Sequence, residues 1–488
     1  LIYYKKLTRL EIMKAPEKIT KQSENFSKWY TDVVKVADMV DYGPVKGTMI
    51  IKPYGYSIWE NIQSIFDERI KRSGISNGYF PLFIPESFLK KEKDHVEGFS
   101  PELAVVTYAG GEKLTEKVVV RPTSETVMYD AFSRWISSYR DLPYHVNQWC
   151  NVVRWEKKTK PFIRTTEFLW QEGHSVLATE KETDALALGR LEEYRKFFEE
   201  ILCIPVFVGK KSEKEKFAGA LYSTSCEALL KDGKALQSAT SHNLGQNFSR
   251  VFNIQFETEN GKREYVWQSS WGMSTRVIGG VILTHGDDKG LALPPDIAPI
   301  QVVVVPIYKD EEEKKKVIDY VGEVTKTLKN FRIEVDNRDQ YSPGWKFNEW
   351  EVKGVPLRIE IGPKEAKEKK ITLVSRINSK RESISLSKFN PSQELSDFKE
   401  KLLENAKKFV KENTFEVRDY KEFKKLLTKK RGFLFTPWCE EGSCEQKIKD
   451  ETTATTRVIP FEQKKIKGEK CVYCGKEAKV WVYFAKAY

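Results

Sequence analysis

The sequence has few histidines, cysteines and methionines. It has five histidines, seven cysteines and five methionines in 488 residues. Seven is an odd number for a disulfide framework, and a chain this long does not need one. Cys150, Cys203 and Cys226 lie scattered among apolar neighbours and read as small buried residues. No apolar run reaches the roughly 18 residues of a membrane helix, so a helical membrane span is excluded. The first residues, LIYYKKLTRLEIMKAPEK, show neither the apolar stretch nor the small-residue cleavage site of a secretory signal. Met13 is a candidate start, and the chain reads as cytoplasmic. Also absent are a G-x-x-x-x-G-K-[ST] loop and a G-x-G-x-x-G after a strand, so a nucleotide would have to be held in another way.

What is present is bulk and positive charge. The chain is 40% hydrophobic and 12% aromatic, with 82 Lys and Arg against 70 Asp and Glu, a formal net charge of +12. That length calls for two or three cores. The excess suits a polyanionic partner, whose counterions are released on binding. A heavily charged, heat-adapted surface fits the composition equally well.

Ile58, Ile62, Ile65, Phe66 and Ile70 recur at helical spacing after a short strand at TMIIKP. KVVVRPTSETVMYDAFSRWI reads as a strand turning into a helix capped by Thr123 or Ser124. HVNQWCNVVRWE and TTEFLWQEGHSVL read as paired strands with KKTKPFIR at their tip. A long helix over about 180–201 follows, then strands at IPVFVG, NIQFET, EYVWQSSWGMST and GLALPP. The Pro-rich LPPDIAPIQ marks a boundary. Beyond it strands and helices alternate, which predicts a compact α/β unit with parallel pairing.

The stretch RWEKKTKPFIRTTEFLWQEGH, residues 154–174, is too charged for a core and too aromatic for a plain loop. Arg154 and Glu156 share a face if the strand continues through them. A guanidinium there suits a phosphate or a carboxylate, held bidentately. Phe168 and Trp170 share a face of the return strand, as do Glu172 and His174, and an aromatic there can stack on a purine. A surface hairpin with cross-strand ion pairs would use the same residues. Thr123 and Glu125 in RPTSET offer a carboxylate to an ammonium, and TSHNLGQNF adds Thr240 and His242. Arg276 follows a run of small residues in SSWGMSTRVIGG, where a ligand can approach the backbone.

Arg154-x-Glu156 with the loop ending in Arg164 and Phe168 resembles motif 2 of the class II aminoacyl-tRNA synthetases. GMSTRVIGG resembles motif 3, and KGTMIIKPYGYSIWENIQ resembles the dimer-forming motif 1. RPTSETVMY, VNQWCNVVRWE, EFLWQEGH, KEKFAGA, TSHNLGQNF and YSPGWKFNEWEVKGVPLRIEIGP are together similar to the prolyl-tRNA synthetase family of the archaeal and eukaryotic type, from about residue 24 to Tyr488. The resemblance implies an α/β fold of three parts. Residues 1–296 would form the catalytic domain, an antiparallel sheet with flanking helices. Residues 297–405 would form a mixed α/β anticodon-binding domain, and 406–488 a small α+β zinc-binding domain.

It also implies roles. Arg154, Arg164 and Arg276 would be catalytic. Arg154, Glu156, Arg164, Phe168, Gln237, Thr240 and Arg276 would bind ATP, with the adenine between Phe168 and Arg276. Thr123 and Glu125 would receive the imino group of L-proline, and Arg154 its carboxylate region. Trp170, Glu172, His174 and His242 would shape the pocket, with Phe99 closing it. Mg²⁺ would accompany ATP, tRNA(Pro) would be the acceptor, and the enzyme would be a homodimer with Tyr488 near its active site. Lys157 to Lys160 would meet the tRNA acceptor end. Bacterial-type relatives carry a large editing insertion between motifs 2 and 3, for which this chain has no room. An inactive synthetase-like tRNA-binding protein usually loses a motif arginine, and all of them are present here. A synthetase for threonine, serine or glycine would not carry both EFLWQEGH and TSHNLGQNF.

A second signal needs no resemblance. Cys439 and Cys444, then Cys471 and Cys474, form two close pairs with Gly442 and Gly475 at turns, the pattern of a closed tetrahedral zinc site.

Overall fold

The computed structural model describes residues 18–90 and 103–488. Two helices open the chain, α1 (Phe26–Val36) and α2 (Pro53–Arg72), joined by the hairpin β1 (Val40–Tyr42) and β2 (Met49–Ile51). Pro53 starts α2 because its fixed φ suits a first helical position. Ile58, Ile62, Phe66 and Ile70, each four residues apart, bury one stripe of α2 in the main core.

The main sheet has eleven strands. One half holds β3 (Ser76–Asn77), β7 (Tyr144–Val153), β8 (Glu167–Leu177), β14 (Trp267–Ser274), β11 (Ala235–Gly245), β10 (Tyr222–Leu229) and β9 (Val206–Lys210), in that spatial order. All of these pair antiparallel except β3 with β7. A smaller sheet of β4 (Phe83–Pro85), β6 (Glu112–Val120) and β5 (Ala104–Ala109) leads into α3 (Glu125–Trp135), and β12 (Gln255–Glu257) and β13 (Arg263–Tyr265) form a separate antiparallel pair. Helix α4 (Glu180–Glu200) packs behind the main sheet. It opens on a capping box in which Thr179 and Glu182 satisfy each other's backbone N–H. Helix α5 (Arg276–His285) leaves the end of β14 and is buried along most of its length.

The second unit is a five-stranded sheet. Strands β15 (Val302–Pro306), β16 (Ile333–Val335) and β17 (Leu357–Ile361) pair in parallel through crossover helices α6 (Glu311–Thr327) and α7 (Pro343–Val352). Strands β18 (Lys370–Ser375) and β19 (Arg381–Ser385) then join antiparallel, so the expected parallel pairing holds for only part of the sheet. GLALPP forms no strand. It is buried with its backbone bonded to the end of α7, Leu291 N donating to Val352 O at 2.9 Å.

Helix α8 (Pro391–Glu412) leads into the last unit and runs across residue 405. That unit comprises β20 (Thr414–Glu416), α9 (Tyr420–Lys429), β21 (Phe433–Trp438), α10 (Gly442–Thr452), β22 (Ala454–Pro460) and β23 (Val480–Lys486). Its strands do not stand apart. Ile459 and Pro460 of β22 pair with Lys210 and Gly209 of β9, making the last unit an extension of the main sheet. Gly209 permits this, because a Cβ there would lie 2.2 Å from Ile459 O.

Candidate active site

Strand register builds the site. Across the sheet His174 faces Ser270, Ser270 faces His242 and His242 faces Ser223. One row along, Gln148 faces Glu172, Glu172 faces Gly272 and Gly272 faces Thr240. Alternation puts Phe168, Trp170, Glu172 and His174 of β8 on one face. Together with the turn before α3 they line an open cleft of about 290 Å³. Thr123, Glu125, Arg154, Phe168, Trp170, Glu172, His174, Gln237, Thr240, His242 and Arg276 all border it.

The turn before α3 departs from its expected role. Ser124 occupies the N-cap position, yet no side chain caps the helix. The Thr123 hydroxyl donates to Glu125, and the Ser124 hydroxyl donates to Glu172. Hydroxyls that could have stabilised the helix end instead orient two buried carboxylates, so the local capping rule is broken here. Glu172 also accepts from Gln148 Nε2 at 2.9 Å and lies 3.4 Å from His174 Nε2. Burial by itself would raise the Glu172 pKa. The hydrogen bonds from His174, Ser124 and Gln148 outweigh it and hold the carboxyl below its ordinary range. Tyr129 OH lies 3.0 Å from His174 Nδ1. A proton on Nε2 facing Glu172 satisfies both ring nitrogens.

The other half of the cleft is cationic. Strand β7 ends at Val153, so Arg154 and Glu156 are not strand residues, contrary to expectation. Glu156 N donates to Arg154 O at 2.7 Å in a tight turn. This aims Arg154 back over the rings of Phe168 and Trp170, 5.5 and 5.7 Å from their centroids. Its Nε donates to Pro122 O at 3.1 Å. Arg276 is half-buried, donating to Ile163 O at 3.0 Å and to Gln237 O at 3.4 Å. Loss of water, and the nearby cations of Arg164 and Arg154, pull its pKa down to about 10. Arg164 and Glu156 do not border the cleft. They pair with each other at 3.3 Å near its mouth, with Arg164 half exposed. Phe99 lies outside the described residues.

Among the lining residues that had not been singled out in the sequence are Lys211, Phe217 and Ser270. Phe217 sits in the KEKFAGA segment, and its ring lies 4.9 Å from that of His242. Only its presence in a matched motif could have flagged it. The Ser270 hydroxyl is buried and has no partner of its own. Gly272, between Glu172 and Thr240, leaves the floor open.

Lys160 of the β7–β8 loop lies over the rings of Tyr30 and Tyr488, 4.6 and 4.9 Å away. Desolvation, with Lys234 adding to it, lowers its pKa to about 8 against the pull of Asp232. Tyr488 OH donates to Asp232 at 2.7 Å.

In the last unit, the Sγ atoms of Cys439, Cys444, Cys471 and Cys474 all lie within 4.8 Å of one another. Cys439 is 3.6 Å from Cys444 and 3.8 Å from Cys474. A tetrahedral zinc with Zn–S of ~2.3 Å needs sulfurs about 3.8 Å apart, so the cluster fits that ion. In the second unit, Tyr341 and Trp345 stack at 3.9 Å. The cations beside them are committed inside the fold: Lys346 is buried on Asp336 O, and Arg338 pairs with Asp336 and Glu349. No helix among the described residues is long and apolar enough to cross a membrane.

Known proteins fit this arrangement. Residues 108–285 match the tRNA synthetase class II core domain (G, H, P, S and T), 301–391 the anticodon binding domain, and 420–488 the prolyl-tRNA synthetase C-terminal domain. The proline–tRNA ligase of Alkaliphilus oremlandii is 53% identical over 475 residues, 97% of this chain and 98% of that protein. The proline–tRNA ligase of Natranaerobius thermophilus is 50% identical, again over 97% and 98%. The crystal structure of Cryptosporidium parvum prolyl-tRNA synthetase, complexed with halofuginone and AMPPNP, superposes with a TM-score of 0.92 at 43% identity, over 96% of this chain and 99% of that one. With its antiparallel core, its second α/β unit and its C-terminal unit all matched over nearly full length, the chain belongs to the prolyl-tRNA synthetase family of class II aminoacyl-tRNA synthetases.

Proposed function

We propose that the cleft activates L-proline with ATP and passes the prolyl group to the 3′ end of tRNA(Pro). The observation that carries this reading is the division of one cleft into two halves of opposite charge. The Glu125 and Glu172 carboxylates stand on one side, the Arg154 and Arg276 guanidinium groups on the other. Proline brings a secondary ammonium and a carboxylate, and ATP brings the polyphosphate. In this reading Thr123 and Glu125 receive the ammonium, and Trp170, Glu172, His174, Phe217 and His242 enclose the ring. Arg154 spans the proline carboxylate and the α-phosphate. Arg164 reaches the outer phosphates once it leaves Glu156. Phe168 and Arg276 flank the adenine, and Gln237 and Thr240 line the adenylate side.

The carboxylate attacks the α-phosphorus and pyrophosphate leaves. Such a step is driven by alignment and by neutralising charge as it develops, and needs no side-chain nucleophile. Mg²⁺ enters with ATP as part of the substrate. The AMPPNP held by the Cryptosporidium relative supports ATP as the nucleotide. ATP–pyrophosphate exchange tested against all twenty amino acids decides the matter. Exchange dependent on proline is expected, and exchange driven best by another amino acid would overturn the assignment.

Residues 1–296 are proposed as the catalytic domain and 297–405 as the anticodon-binding domain, its Tyr341–Trp345 stack offering a platform for bases. Residues 406–488 are proposed as the zinc-binding domain, the long helix α8 joining it to the second unit. Zn²⁺ on Cys439, Cys444, Cys471 and Cys474 would be structural, since four thiolates leave no open position for a reacting water. The β1–β2 hairpin and the start of α2 expose Tyr42, Val45, Ile50 and Tyr56. That apolar surface supports a homodimer built on this segment, which sedimentation would test. The archaeal and eukaryotic type is supported by the C-terminal domain match and by the span from β8 to β14, where helix and sheet strands account for the chain. An ATP- and tRNA-dependent activity is consistent with the cytoplasm.

A further inference from the structure

The wall of the cleft that carries Phe217 is not held by the catalytic sheet alone. Phe217 belongs to the loop between β9 and β10. On the cleft side, Phe217 N donates to Ser223 Oγ at 2.8 Å, and the same hydroxyl lies 2.7 Å from His242 Nδ1. The start of the loop is gripped by the C-terminal unit. Ser212 Oγ donates to Glu445 Oε1 at 2.9 Å, and Thr456 of β22 donates to the same oxygen. Lys211 Nζ donates to Glu227 Oε1 at 2.8 Å and to Arg457 O at 3.1 Å. Arg457 closes this lattice, donating to Glu227 Oε2 from Nε at 3.0 Å and from Nη2 at 2.8 Å.

Lys211, Ser212, Glu227, Glu445 and Arg457 are all buried. Removing several charges from water is a poor way to gain stability, because desolvation offsets most of the attraction. What such a lattice does well is fix geometry, since each ion has few positions that satisfy it. The geometry fixed here is the entry of the loop, five residues before Phe217. Glu445 also follows Cys444 directly in the first turn of α10. The cysteine cluster therefore holds the same turn that holds Ser212.

We propose that Glu445 and Arg457 are positioning residues for the amino-acid pocket. By clamping Ser212 and Lys211 they set where Phe217 sits against His242, and the C-terminal unit thereby takes part in selecting the amino acid. The inference rests on the reading of Phe217 and His242 as a wall of the proline site.

The test uses the full-length protein and ATP–pyrophosphate exchange, with KM measured separately for proline and for ATP. Ser212→Ala removes the loop's donor at little risk to folding, and Glu445→Ala removes the acceptor. Both raise the proline KM, Glu445→Ala by about tenfold, equivalent to ~1.4 kcal/mol, while the ATP KM stays within about twofold. Glu445→Gln keeps an oxygen acceptor and recovers most of the loss. A merely structural role would lower the melting temperature and the active fraction and leave both KM values in place, and that result overturns the proposal. Phe217→Ala separates the two readings. If it raises the proline KM while Ser212→Ala and Glu445→Ala do not, the clamp falls and the pocket stands. If Phe217→Ala leaves the proline KM unchanged, the pocket wall is misassigned and the clamp falls with it.

Discussion

Arg276→Gln tests whether the cationic half of the cleft exists for a ligand or for the fold. The arginine's structural bonds are those to Ile163 O at 3.0 Å and Gln237 O at 3.4 Å. Each contributes about 1 kcal/mol, and glutamine can replace one of them. Against that stands the cost of holding a guanidinium out of water beside Arg154 and Arg164, which brings its pKa down to about 10. A depressed pKa on a base means that the folded state resists the charge. The cost is therefore fully present at every pH below about 10 and fades only above it. Allowing for solvent at the open side of the cleft, it amounts to roughly 2 kcal/mol. The two contributions nearly cancel, so the variant should melt within a few degrees of the parent in the absence of ligand. Catalysis should not survive so well. Losing a preorganised donor to a charge that develops in the transition state costs about 10²–10³-fold in rate, some 3–4 kcal/mol. Pyrophosphate exchange with proline measures the rate, and thermal unfolding with and without MgATP measures the rest. The parent should gain stability from MgATP by mass action, and the variant should gain less. A variant that unfolds many degrees early, or one that keeps near-normal exchange, would refute the reasoning.

Other expectations follow from the same structure. Lys160, with a pKa of about 8 set mainly by desolvation, burdens the fold below pH 8 and sheds that burden as pH rises towards its unfolded value. The melting temperature of the parent relative to Lys160→Met should therefore climb between pH 8 and pH ~10, and a flat difference would contradict the buried charge. Cys471→Ser with Cys474→Ser should remove one zinc per chain by metal analysis and lower the melting temperature markedly, and full zinc retention would disprove the site. Alanine should be mischarged onto tRNA(Pro), because a missing methylene or two is worth only about 1–3 kcal/mol of discrimination. Deacylation of purified alanyl-tRNA(Pro) by the protein, well above the spontaneous rate, would reveal a hydrolytic site.

Much of this was legible in the chain itself, for physical reasons that can be named. Residues four apart on α2 had to share a buried stripe, and alternation along EFLWQEGH had to put Phe168, Trp170, Glu172 and His174 on one face, because backbone periods fix both. Two pairs of close cysteines predicted a cluster that the structure assembles within 4.8 Å. Local pattern failed where tertiary demands overrode it. Arg154 and Glu156 left the strand for a tight turn, Ser124 gave up its cap to hold Glu172, and GLALPP was buried without pairing as a strand. In the second unit Asp336 draws the Lys346 ammonium into the fold, which no local pattern announces.

Only the fold could decide what meets what. Strand register, not sequence distance, set His174, Ser270, His242 and Ser223 in one row. The pairing of β22 with β9, with Arg457 and Glu445 closing on the loop before Phe217, joins residues more than 200 positions apart. No period or local propensity encodes such a contact. It exists because two sheet edges with unpaired backbone groups found each other, and the buried charges at the seam had to be satisfied there.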